Sequence, residues 1–105
     1  MSISGMFKVM SMAGNYDIRK VDRTTLPNGV EVSTCYTNDY GYETALLNTK
    51  GDVFPVERYG YDLNDSVHAG HDRWVEFARD GIGKTVNYLG SENDYLDSDG
   101  TFILS

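Results

Sequence analysis

From Val30 to Tyr36 the chain alternates: Val30, Val32, Thr34 and Tyr36 fall on one side of an extended segment, with Glu31, Ser33 and Cys35 on the other. That period of two predicts a strand, and it places Cys35 as a small strand residue rather than a nucleophile. Leu26-Pro27-Asn28-Gly29 precedes it, and this is a turn signal with a mechanism. Proline presets φ, while asparagine and glycine accept positive φ. Before the turn, residues 17–25 read as a polar strand whose charges suit a sheet edge. After it, the turns at residues 37–41 and 49–52 bracket strands over 42–48 and 53–59. Pro55 cannot donate to a ladder, so the strand that carries it belongs at an edge or holds a bulge there.

The period then changes. At steps of about 100° per residue, Leu63, Val67, Gly70, Trp74, Phe77 and Ala78 share one face, with His71 and Val75 at its border. Asp72, Arg73, Glu76, Arg79 and Asp80 face away. The pattern predicts a helix over about 63–80, capped by Asp62 or Asn64, with acidic Asp65 in its first turn. Gly81 is expected to close it in a left-handed cap, with Ile82 as the accompanying apolar contact. Gly70 on the buried face costs about 1 kcal/mol of helix propensity relative to alanine, which implies a close approach to the helix there. A further strand over 84–89 follows. An acidic segment begins at residue 90 and finishes in an apolar end, Thr101-Phe102-Ile103-Leu104, expected to be buried in the fold or against a partner. The fold class predicted is α+β: an antiparallel β-meander of about 4–5 strands with one amphipathic helix packed on one face.

Composition narrows the class without changing this picture. The chain of 105 residues is expected to form a single domain, 1–105. Residues 1–15, rich in methionine and glycine, read either as an edge strand or as an arm that docks on another subunit. They lack the continuous apolar run of a secretory signal. One cysteine permits no internal disulfide and suits a reducing, cytoplasmic setting. No apolar run approaches the roughly 18 residues of a membrane span, so no membrane partner is expected. A net charge of −7 opposes direct binding to nucleic-acid phosphates and favours solubility or a basic partner surface.

Several stretches imitate chemistry. Gly81-Ile82-Gly83-Lys84-Thr85 has the end of a phosphate-binding loop, but its first glycine is replaced by Ala78 and a helix precedes it. In Asp97-Ser98-Asp99-Gly100 the first position of a calcium loop would fall on Tyr95. His68 and His71 have the i, i+3 spacing of a ligand pair but no third ligand cluster joins them, so the structural role is preferred. No catalytic, cofactor-binding or metal-binding residues are assigned, no cofactor is expected, and an enzyme is disfavoured. The eight tyrosines are more informative, because tyrosine gives large contact area at low entropic cost. Tyr36, Tyr40, Tyr42, Tyr59 and Tyr61 gather near strand ends and turns. Of these, Tyr36, Tyr40, Tyr42 and Tyr61, with Asp39 and the acidic Asp94, Asp97 and Asp99, form the expected partner-binding set.

Tyr42-Glu43-Thr44-Ala45, Glu57-Arg58-Tyr59, Ala69-Gly70-His71 and Trp74-Val75 together resemble a pattern of small bacteriophage and prophage proteins. The likeness covers residues 42–78 and implies source and local fold, not an activity. It suggests a fold-specifying cluster in which Arg58 meets Glu43 across a hairpin and His71 reaches the strand of Tyr59. The resulting expectation is a non-enzymatic phage-type protein that engages a host or defence protein, as an inhibitor, in the host cytoplasm through an acidic, tyrosine-rich surface. The alternative is a virion or assembly component forming homo-oligomers through the N-terminal arm and residues 102–104. A small enzyme, or capture of a nucleotide-like ligand between subunits, ranks behind both.

Overall fold

Strands that follow one another with short turns pair most simply with their sequence neighbours, and the computed structural model, which describes residues 20–90 and 98–105, has that arrangement. Strands β1 (Lys20–Thr25), β2 (Glu31–Thr37), β3 (Gly41–Leu47) and β4 (Val53–Gly60) form one antiparallel sheet in sequence order. Helix α1 (Asp65–Arg79) packs on it, and β5 (Thr85–Tyr88) and β6 (Gly100–Ile103) form a second, two-stranded sheet. The α+β meander with one packed helix is therefore the fold. The readings placed on residues 1–19 lie outside the described residues, and so do those on residues 91–97. Among the described residues, no helix is long and apolar enough to cross a membrane.

The Pro27-Asn28-Gly29 turn is tied to the helix as well as to itself. Leu26 N donates to Val30 O at 2.8 Å, and Asn28 Oδ1 accepts from Val30 N at 3.0 Å. The Asn28 amide then donates to Ala78 O at 2.9 Å, a shorter bond than the 3.4 Å one this terminal carbonyl accepts from Gly81 N. Polar β1 sits at the sheet edge, as its charges predict. β4 ends the sheet on the other side and carries a bulge beside Pro55. Thr44 pairs with Glu57 and Ala45 with Pro55, so Val56 is the extra residue. Consequently Val56 and Glu57 both reach the helix side, one into the core and one to Trp74.

The core joins Val30, Val32 and Leu46 of the meander to Val75 and Ala78 of the helix and Val86 and Leu104 of the second sheet. Leu104 settles the placement of the apolar end, which is buried within the fold, and Phe102 stacks on Phe54 at 3.8 Å between centroids. Ile103 remains 64% exposed. The central strands are buried on their other face too, at Ser33, Cys35, Glu43 and Ala45.

Asn64 is the N-cap, its side chain accepting from Ser66 N at 3.0 Å, with Asp65 in the first turn. The buried face of α1 is turned relative to the predicted one. Val67, Gly70, His71, Val75 and Ala78 are buried, Trp74 and Phe77 are half-buried, and Leu63 precedes the helix and is 54% exposed. The reason is that His71, treated as a border residue, has both nitrogens satisfied inside and so can occupy the centre of the interface. The close approach at Gly70 is real: a Cβ there would lie 2.5 Å from Tyr59 Cζ.

The helix end corrects a second expectation. Gly81 is not the left-handed residue; Gly83 is, at φ +90, in a turn closed by Lys84 N donating to Gly81 O at 2.9 Å. Gly81 is required for space instead, since a Cβ would lie 2.8 Å from Phe77 O and 3.0 Å from Leu104 Cδ2. With Leu104 already against Gly81, Ile82 is not needed as the capping contact and is 47% exposed.

Candidate functional site

The β2–β3 turn is braced by Thr37, whose hydroxyl accepts from Tyr40 N at 3.1 Å and donates to Gly41 O at 2.9 Å. In-register pairing then sets Tyr36 opposite Tyr42, with rings 5.1 Å apart and edge-on at 70°. Tyr61, leaving β4, presents its ring to Tyr36 at 6.5 Å and donates its hydroxyl to Asp39 O at 2.6 Å. Edge-to-face pairs of this kind are worth about 0.5–1.5 kcal/mol beyond burial, so the aromatic end is held in one shape. It is also open to solvent, with Tyr61 59% exposed.

Tyr40 lies on the other side of the same turn, under the Arg58 guanidinium at 3.7 Å. Arg58 bonds Glu43 Oε2 through Nε at 2.8 Å and Gly90 O at 3.0 Å. Gly90 N in turn donates to Asp99 Oδ1 at 2.8 Å. The fold thus gathers Tyr36, Asp39, Tyr40, Tyr42 and Tyr61 at one end, and joins Asp99 to them through Arg58 and Gly90. Asp94 and Asp97 lie outside the described residues.

Beneath the helix is a constellation that periodicity did not disclose. His71, 2% exposed, has Nδ1 at 2.7 Å from Thr34 Oγ1 and Nε2 at 2.9 Å from Thr24 Oγ1. Thr34 continues to Thr44 at 2.6 Å, Thr44 to the Tyr59 hydroxyl at 2.8 Å, and Tyr59 to Glu57 Oε1 at 3.4 Å. The same Glu57 oxygen accepts from Trp74 Nε1 at 2.8 Å and Arg73 at 2.5 Å.

Proton counting orients the whole chain. A carboxylate only accepts, so the one Tyr59 proton points at Glu57, and Thr44 must donate to Tyr59. Thr34 must then donate to Thr44, and His71 Nδ1–H to Thr34. The count thus places a proton on Nδ1, and burial, which disfavours the charged ring, leaves Nε2 to accept from Thr24, so His71 is neutral in the Nδ1–H tautomer.

Burial lowers the His71 pKa below its ordinary value, opposed by the Asp22 and Asp72 carboxylates and aided by His68. Burial chiefly raises Tyr59 to about 12, against the Thr44 hydrogen bond and with help from Glu57. His71 bonds Thr24 of β1 and Thr34 of β2 and is linked to Tyr59 on β4 only through Thr34 and Thr44, where the resemblance implied a reach to the strand of Tyr59, while Arg58 does meet Glu43. The one sequence signal for this network is Thr34, a polar residue in line with Val30 and Val32. His68 points elsewhere, to Asp22 at 3.1 Å. Among the described residues no group of three or more His, Cys, Asp or Glu is placed to hold a metal ion.

Comparison of the chain with family models, with curated proteins and with solved structures gives no match.

Proposed function

We propose that the protein is a non-enzymatic binding protein whose tyrosine-rich end, built by Tyr36, Asp39, Tyr40, Tyr42 and Tyr61, engages a protein partner. The observation that supports this is the convergence of those side chains on one braced turn, with Tyr61 exposed beside Leu63. Rigid, partly exposed tyrosines next to an apolar residue have the composition of an interface centre, and the surrounding acidity favours a basic partner. The phage-like pattern of residues 42–78 supports a bacterial cytoplasm as the setting, and the net charge of −7 supports a host or defence protein as the partner, inhibited by occupation of its basic site.

The test is an affinity pull-down from bacterial lysate with the wild-type chain and with Tyr61→Ala, which should stay folded while losing about 1–2 kcal/mol with its contact to Tyr36 and its bond to Asp39. One partner recovered by wild type, weakened by salt and lost by the variant, is the expected result. Equal recovery by both proteins, or binding indifferent to salt, overturns the proposal. The assembly reading rests on the N-terminal arm, which lies outside the described residues, and on residues 102–104, of which Leu104 and Phe102 are engaged within their own chain and Ile103 is open.

A further inference from the structure

A second surface lies away from the tyrosine end, in the wedge where β5 diverges from β4 beneath α1. Its strand edge is unfilled. Leu104 N donates to Lys84 O at 3.0 Å, so in the antiparallel ladder the main-chain groups of Lys84, Val86 and Tyr88 face β6. Those of Thr85, Asn87 and Leu89 face the opposite way. Leu89 N finds Pro55 O of β4 at 2.8 Å. Among the described residues, Thr85 and Asn87 have no main-chain partner on that side.

Their edge opens onto a groove of about 450 Å³, inside the roughly 300–1,000 Å³ usual for ligand sites. Val56, Trp74, Phe77 and Val86 supply its apolar walls, and Arg73 lines it from the helix. The Lys84 ammonium stands 5.8 Å from the Phe77 ring.

We infer that this groove accepts an extended peptide strand from a partner, added to the edge of β5, with an apolar side chain between Trp74 and Val86 and a carboxylate two positions away facing Arg73. The unpaired edge selects the occupant's class. Alternating N–H and C=O groups at strand spacing are what a polypeptide offers and a small apolar ligand does not. The two-residue separation follows from the strand period, which returns side chains to the same face. Arg73 selects the charge: Glu57, through an oxygen shared with Trp74 and Tyr59, and the Tyr59 hydroxyl engage part of its five-donor guanidinium, which leaves N–H groups for a carboxylate.

Trp74 is the chain's single tryptophan, so its fluorescence reports the groove directly. The probe is the capped pentapeptide acetyl-Thr-Leu-Thr-Glu-Thr-amide, titrated into the full chain. Saturable change in Trp74 emission is expected, weakened about tenfold or more when the central peptide amides are N-methylated, as losing about 1.4 kcal/mol of main-chain bonding requires. Replacing the peptide's Glu by Lys should weaken it similarly. In the protein, Asn87→Pro deletes an N–H that faces the groove and not β6, so it should abolish binding while far-UV circular dichroism stays unchanged. If Asn87→Pro fails to fold, the N-methylated peptides on wild-type protein decide the matter alone. No saturable signal up to millimolar peptide overturns the inference. So does binding that tolerates N-methylation, which would make the groove a side-chain pocket for small apolar ligands.

Discussion

Replacing His71 by alanine tests the buried network most directly. The substitution removes a fully enclosed imidazole and strips partners from Thr24 and Thr34 together. Truncating a large buried side chain to alanine costs about 3–5 kcal/mol, and each buried hydroxyl left without a partner costs about 1–3 kcal/mol more unless water enters the space. Allowing water to recover most of the second contribution, the expected loss is about 3–5 kcal/mol, a large share of the roughly 5–15 kcal/mol usual for a domain. Urea unfolding followed by Trp74 emission measures it. A cycle with Thr34→Val should show coupling of about 1–3 kcal/mol, because the two side chains share one hydrogen bond.

The pH dependence adds an independent check on the same residue. The folded pKa of His71 lies below the unfolded value of 6.5, so the unfolded chain takes up the proton first. The stability contributed by neutral His71 is therefore complete above pH 6.5 and is lost as pH falls below it toward the folded pKa. Subtracting the His71→Ala curve from the wild-type curve should isolate that slope. A variant within about 1 kcal/mol of wild type, or parallel curves between about pH 5 and 7, would refute the assignment of His71 as the neutral centre of the network.

Gly70→Ala should destabilise the protein by about 1 kcal/mol or more in the same unfolding assay, despite better helix propensity, because the new methyl meets the Tyr59 ring and strains its bond to Thr44. Tyr59, raised from 10.0 to about 12, ionises more easily unfolded than folded, so stability should fall as pH rises between 10 and 12. Tyr59→Phe should flatten that fall, and ultraviolet titration should show one tyrosine missing from the late-ionising population. Asn28→Ala should cost about 1–2 kcal/mol by removing the side-chain bonds to Val30 N and to Ala78 O, whereas Arg23→Ala, which breaks the exposed pair with Glu31, should cost under about 1 kcal/mol.

What the sequence determined by itself was local. Period-two alternation at Val30–Tyr36, the Pro27-Asn28-Gly29 turn, the restriction on Pro55 and a cap at Asp62 or Asn64 each act within a few residues, and each has a structural counterpart, with Asn64 taking the cap. The gathering of Tyr36, Tyr42 and Tyr61 was partly legible for the same reason, since a tight turn brings neighbouring strand ends together. His71 was not legible. Its partners Thr34 and Thr24 stand 37 and 47 residues away, and nothing in a helical wheel distinguishes a solvated histidine from one that two distant hydroxyls make burial-competent. Gly83, not Gly81, takes the left-handed conformation, and Gly81 is held to glycine by Leu104, which comes from the far end of the described chain to occupy the space against it. Among the described residues, the open edge of β5 likewise follows from the ladder with β6, which turns the main-chain groups of Thr85 and Asn87 away from β6. Tertiary structure decided these features because each depends on register or contact between segments that no local preference connects.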